Sequence, residues 1–264
     1  MSPRNATEVG QRRTYRFRGQ VLPSVTTLLK AWPQEWAIPY GAKHVAERAL
    51  STEGLERIDT YVHLQDEQST DYPDLLKWLK KAPFERRDAA ADAGTARHGY
   101  LEDRLNGLGV PDDLSPAEIA IEQFLDVYRP DPLYVEAQVA SVTEGYAGSA
   151  DAFVRIYGKT YVLDLKTANH AATDHKARLQ LAAYRYADVI FDDALEWPVP
   201  VCDGALILAI PRDDPRSWQL LDVPAGPEEF RIFQAFKRSW LFYDQTKETA
   251  VGELLLPQVK EEVA

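Results

Sequence analysis

Residues 148–167 read GSADAFVRIYGKTYVLDLKT, from Gly148 to Thr167. Two runs of alternating apolar residues, DAFVRIY and TYVLDLK, flank a Gly-Lys pair, the pattern of two antiparallel strands joined by a tight turn. With Gly158-Lys159 as a type II′ turn, Tyr157 pairs with Thr160, Phe153 with Asp164 and Asp151 with Lys166. Side chains alternate along a strand, so Asp151, Asp164 and Lys166 share one face, while Leu163 and Leu165 share the other. Asp151 and Asp164 then become diagonal neighbours, roughly 7 Å apart or less. Carboxylates this close repel unless a divalent cation lies between them, and without one the weaker acid is driven toward protonation.

Hard cations such as Mg²⁺ or Mn²⁺ prefer oxygen ligands, which makes the Leu165 carbonyl a candidate alongside the two carboxylates. Lys166 beside such an ion would orient a water and offset charge on a phosphate, a set suited to phosphodiester hydrolysis. A D-x-K triplet alone is weak. A second copy, Asp174-His175-Lys176, has no strand behind it and reads as solvated.

Around the hairpin the periodicity changes twice. Ser24 and Pro39 punctuate short helical patterns near the N-terminus, with Trp32 and Trp36 one helical turn apart; such a pair is more often core than site. A helical stretch runs from Asp71 to Leu108, stopped by Gly107 and Gly109. SPAEIAIEQFLDVY opens on a capping box, Ser115 with Glu118, and has Pro116 at the first helical position. Past Pro130 and Pro132 the pattern becomes strand-like through YVEAQVASV and the hairpin. HKARLQLAAYRYADVI then predicts a helix, GALILAI and WQLLDV two strands, and PEEFRIFQAFKRSWLFYDQ a closing amphipathic helix.

This order predicts an α/β protein with a central mixed β-sheet flanked by helices and a helical N-terminal elaboration. Residues 1–130 form the helical part, 131–246 the core and 247–264 a tail, all in one compact unit.

The 264 residues suffice for a sizeable core. Cys202 is the only cysteine, which excludes a disulfide framework and any four-cysteine zinc or iron–sulfur site within the chain, and suits a reducing compartment. No window reaches the apolar length of a membrane helix and no signal core opens the chain, so a soluble, cytoplasmic protein is expected. A net charge of −11 counts against diffuse binding to polyanions, although a local basic groove or bound cations can reverse the field.

Four pieces, in order, resemble the PD-(D/E)XK nuclease superfamily in its RecB-like exonuclease branch of bacteria and phages, with a restriction-endonuclease-like core. GTARHGYLE is similar to that branch's G-T-x-x-H-x-x-L-E helix motif, GSAD to its G-x-x-D strand, LDLKT to its D/E-x-K strand and QLAAY to its Q-x-x-x-Y helix. The early VLPSVTTLL looks like the opening of phage-encoded members. The resemblance implies His98, Asp151 and Asp164 as metal ligands, Lys166 as the catalytic lysine, and Gln180 and Tyr184 as residues that orient it and contact the substrate strand. Taken singly, His98, Gln180 and Tyr184 would read as ordinary helix residues.

Glu102 and Glu136 are further acids within reach of such a site, whereas His170 and His175 read as loop residues. Arg155, Lys176, Arg178 and Arg185 are candidates for phosphate contacts; Trp32, Trp36 or Tyr184 could stack on unpaired bases. The expected activity is a Mg²⁺- or Mn²⁺-dependent DNA exonuclease acting on ends or single strands, in a bacterial or phage-infected cell. The alternatives are an endonuclease and a non-catalytic nucleic-acid-binding subunit that keeps the fold. No G-x-x-x-x-G-K-[ST] loop is present, so strand separation would fall to a helicase, recombinase or other partner.

Overall fold

A computed structural model of the chain describes residues 6–9, 12–32, 37–63, 71–169 and 174–249. The predicted α/β architecture is present: a seven-stranded mixed sheet with helices on both faces. Its central strands are β4 (Asp131–Ser141), β5 (Tyr146–Ile156) and β6 (Lys159–Lys166). Beyond β6 lie β9 (Gly204–Ala209) and β10 (Gln219–Val223); beyond β4 lie the short β7 (Val189–Phe191) and β8 (Glu196–Pro198). All neighbours are antiparallel except β6 and β9, which the chain joins by way of the helix α6 (His175–Arg185) and then β7 and β8.

Alternation along β5 and β6 sorts the core into two layers. Phe153 and Val162 face α6, the short α1 (Val25–Leu28) and the closing α7 (Pro227–Thr246). Ala152, Val154, Leu163 and Leu165 face α5 (Pro116–Tyr128) and the end of α4 (Asp71–Leu105), where Tyr100, Leu101 and Leu105 are buried. Asp164 and Lys166 share the parity of Val162 and lie on the face that α6 covers; Asp151 shares that of Phe153 and stands where the alternation of β5 breaks, since Ala150 too packs on the α6 side. Leu163 and Leu165 point the other way.

The hairpin register differs from the predicted one. Arg155 pairs with Thr160 and Ala152 with Leu163, so the turn is Tyr157-Gly158 and not Gly158-Lys159. Both turn residues have positive φ, 50° at Tyr157 and 80° at Gly158, the type I′ pattern that matches the twist of the strands. The slip is two residues, and with a side-chain period of two it leaves every residue on its predicted face.

The capping box of α5 is present: the Glu118 N–H donates to Ser115 Oγ, and the Ser115 N–H to Glu118 Oε2 at 2.6 Å. The N-terminal part is not helical throughout. β1 (Ala6–Val9), β2 (Arg12–Phe17) and β3 (Gln20–Pro23) form a separate antiparallel sheet ahead of α1, α2 (Ala37–Ala49) and α3 (Thr52–His63). TYRF and QVL alternate with apolar Tyr15, Phe17 and Leu22 buried, and the Arg18-Gly19 turn again has two positive φ values. Trp36, His170 and residues 250–264 lie outside the described residues.

Lys237 of α7 fastens that helix to the turn between β4 and β5, its Nζ 2.6 Å from the Glu144 carboxylate and 2.5 Å from the Glu144 carbonyl. Lys237 is buried, so removing it strands a partly covered carboxylate. Lys237→Met is expected to cost about 3 kcal/mol of unfolding free energy, read as a lowered urea midpoint with an unchanged m-value.

Candidate metal centre and cleft

Three adjacent strands bring three carboxylates to one row. The β4–β5 register pairs Val135 with Ala152 and Ala137 with Ala150, which sets Glu136 opposite Asp151. The β5–β6 ladder ends at Ala152–Leu163, and one further step sets Asp151 opposite Asp164. There the strands part. The Leu165 N–H donates to the Asp151 side chain, 2.6 Å from Oδ2, in place of a backbone carbonyl. Lys166's carbonyl accepts from Ile210 in the chain after β9, so the Leu165 carbonyl faces the opposite side, toward β5 and the gap.

His98 comes from α4, with Nδ1 3.1 Å from the same Asp151 Oδ2. Ligand atoms of His98, Glu136 and Asp151 all lie within 4.8 Å of one another, a nitrogen and two carboxylate oxygens that fit a divalent cation. Asp164 stands next to this group, turned onto Lys166, whose Nζ is 2.7 Å from Oδ2. That oxygen is buried, and no donor among the described residues besides Lys166 reaches it, so the ion pair leaves it a lone pair to offer.

Gln180 of α6 knits the lysine to its surroundings. It accepts from Lys166 Nζ at 3.4 Å and donates to the Tyr184 hydroxyl at 3.0 Å and to Asp164 Oδ1 at 3.4 Å. The Tyr184 ring lies over Gly148. A Cβ on that glycine would come within 2.5 Å of the ring, which explains the glycine of the GSAD stretch physically. Gly94, by contrast, has room for a methyl: its nearest neighbour, Thr167 Oγ1, would be 3.6 Å away.

The electrostatics separate the acids. Burial alone would raise Asp151, but His98, Lys166 and the Leu165 N–H overcome it and hold the carboxyl below its ordinary range. Asp164 is pushed up by burial and then by Asp151, with Lys166 opposing. Glu136 is pushed up to about 7 by burial, Asp151 and Glu102. Burial works against charge on His98 and Lys166, yet the neighbouring carboxylates prevail and raise both. Lys166 is therefore an ammonium, not a base.

The cleft encloses about 340 Å³ and gathers His98, Glu102, Glu136, Asp151, Asp164, Lys166, Gln180 and Tyr184. Its far wall includes Arg13 and Tyr15 of β2, which reading by motif did not single out, and Ser24 and Thr26 of the VLPSVTTLL stretch, which it did not assign to the site; the apolar alternation of β2 was the signal available. Ser149, whose hydroxyl donates to Glu136 Oε2 at 3.3 Å, was missed as well.

The remaining candidates stand in other contacts. Arg178 lies outside the cleft and pairs with Glu229 at 2.7 Å, because α6 turns that face toward α7. Arg155 pairs with Asp131, and Arg185 donates to the carbonyls of Ala225 and Cys202. Trp32 is half-buried and packs on Phe236 with ring centres 5.1 Å apart, and Tyr184 is buried.

No protein-family model matches the chain, and no curated protein matches it. Among solved structures, one titled "Crystal structure of SSO0001" aligns over 71% of this chain and 82% of that one, at 12% identity and a TM-score of 0.33. So slight a likeness carries no functional weight. No helix among the described residues is long and apolar enough to cross a membrane.

Two outcomes are expected. Glu136 has a raised pKa in the fold, so its stabilising contribution is complete below about pH 4.5 and is lost as pH rises through about 7. Metal-free Glu136→Gln should melt like the wild type at pH 4 and above it at pH 8. Added Mn²⁺ should raise the wild-type Tm more than the variant's. Gly148→Ala, forced against the Tyr184 ring, should lose about 1–3 kcal/mol, measured by urea unfolding.

Proposed function

We propose that the protein is a divalent-metal-dependent deoxyribonuclease that hydrolyses phosphodiester bonds, working from DNA ends and favouring single strands. The observation that supports this best is the convergence of Glu136, Asp151 and Asp164 from three neighbouring strands on His98 and Lys166 in one cleft. A purely structural sheet has no use for mutually repelling carboxylates that are partly or wholly buried. The preference for ends is inferred from the resemblance of the four sequence motifs to the RecB-like exonucleases.

His98, Glu136 and Asp151 would hold Mg²⁺ or Mn²⁺, with the open oxygen of Asp164 and the Leu165 carbonyl completing the set. Such an ion supplies a Lewis acid that polarises the phosphate and acidifies water. Lys166, kept cationic by Asp164 and steadied by Gln180, orients the attacking water and stabilises the charge that develops on the phosphate oxygens. Tyr184, with its pKa held well above the ordinary phenol value by burial, stays neutral and fixes Gln180. The net charge of −11 suits recruitment to DNA by a helicase, recombinase or other partner within the cytoplasm.

End-labelled single- and double-stranded DNA incubated with Mg²⁺, Mn²⁺ or chelator tests this. The wild type should release short products from one end in metal and none in chelator, and Lys166→Ala should be slower by about 100-fold or more. A ladder of internal cuts would make the protein an endonuclease. No cutting by folded, metal-loaded protein would leave a binding scaffold.

A further inference from the structure

Most arginines near the sheet are already neutralised or tied to the backbone: Arg104 by Glu122, Arg155 by Asp131, Arg178 by Glu229, Arg185 by two carbonyls. Arg97 and Arg212 differ. Arg97 directly precedes His98 on α4, and its Nη1 is buried with no hydrogen-bond partner among the described residues. The face of α4 that carries Arg97 also carries Gly94, one turn earlier, which abuts Thr167 just past β6, and Asn169, two residues on, holds Asp213 beside Arg212; the charge of Arg212 reaches Arg97, which burial and then Arg212 hold below the ordinary guanidinium range. A buried, unpaired guanidinium nitrogen beside a second cation is costly in a protein with eleven surplus negative charges.

Arg212 is held at a defined place. The chain leaving β9 donates from Ile210 N to the Lys166 carbonyl at 2.8 Å. Two residues on, Arg212 sits at the rim, exposed, next to a fixed clasp in which the Asp213 N–H donates to Asn169 Oδ1 at 3.1 Å. The Asp213 carboxylate is occupied in return by the Asn169 amide, so Asp213 is not spent on the arginines. β9 lies one strand beyond β6, roughly 5 Å away. The edge of the sheet thus runs from the acidic row across Lys166 to a pair of guanidinium groups.

We propose that Arg97 and Arg212 form a phosphate subsite beside the metal centre, which takes the backbone phosphate next to the one that is cut. Guanidinium forks match phosphate oxygens in a bidentate fashion, and two of them around one anion relieve their mutual repulsion. This assignment rests on the nuclease reading above. It adds that the strand crosses the sheet edge from β4 toward β9, with one phosphate over the carboxylates and its neighbour over the arginines.

The experiment uses the full chain in the Lys166→Ala background with Mg²⁺, so that DNA stays intact. Fluorescence anisotropy follows a labelled single-stranded oligonucleotide across a salt series, for the parent and for added Arg97→Gln, Arg97→Lys, Arg212→Gln and, as a control on α7, Arg231→Gln. Each Gln change at the subsite should flatten the slope of log affinity against log salt by about 0.7, while Arg97→Lys and Arg231→Gln keep most of it. Oligonucleotides with one neutral methylphosphonate linkage should show two sensitive positions for the parent and one for Arg212→Gln. Arg212 is exposed, so this variant separates a lost contact from a lost fold, and thermal melting checks both. If the Gln variants keep the parent slope and both sensitive positions while the wild type still cuts DNA, the subsite is wrong and the nuclease reading stands. If the wild type neither binds nor cuts DNA, both fall together.

Discussion

One oxygen, Oδ2 of Asp151, closes the central hairpin and opens the site. It accepts the Leu165 N–H at 2.6 Å where the β5–β6 ladder stops, and it lies 3.1 Å from His98 Nδ1 on α4. A buried backbone N–H left unpaired costs about 1–3 kcal/mol, so the strands can part here only because a side chain takes over from the ladder. Their parting makes the cleft. The same carboxylate gives α4 a polar anchor at the sheet edge, while Tyr100, Leu101 and Leu105 secure its apolar side.

The charges around that oxygen do not balance by themselves. Three carboxylates face one lysine and one histidine in a largely buried space, and their pKa values diverge accordingly. Asp151 has an N–H and a ring nitrogen to itself and ionises easily; Glu136 and Asp164 have burial and each other's row-mate against them. Glu136 also holds φ at 47°, a left-handed conformation that an L-residue adopts at a cost of about 1–2 kcal/mol. Strain and unfavourable charge in one place are what a pre-formed cation site would show before the cation arrives.

Charge elsewhere is distributed to the same end. The protein is strongly acidic, and around the sheet its arginines are mostly consumed by carboxylates or carbonyls that pin helices to strands.

The alternation of DAFVRIY and TYVLDLK by itself determined that Asp151, Asp164 and Lys166 share a face, because the two-residue period of a strand survives even a wrong turn. The turn moved by one residue, the pairing slipped by two, and the faces stayed. Capping signals likewise placed the start of α5, since Ser115 and Glu118 satisfy each other's N–H groups locally. What the chain could not reveal in one dimension was everything that depends on strands meeting. Glu136 joins His98 and Asp151 because the β4–β5 pairing runs in one register from Ser141–Tyr146 to Tyr134–Phe153 and sets it opposite Asp151, and a pairing register leaves little local trace. Arg178 looked free until α7 supplied Glu229, and Arg97 looked ordinary until its neighbour proved to be another cation. Periodicity is a property of a segment, but pairing, burial and the balance of charge belong to the neighbours that only the folded chain brings together.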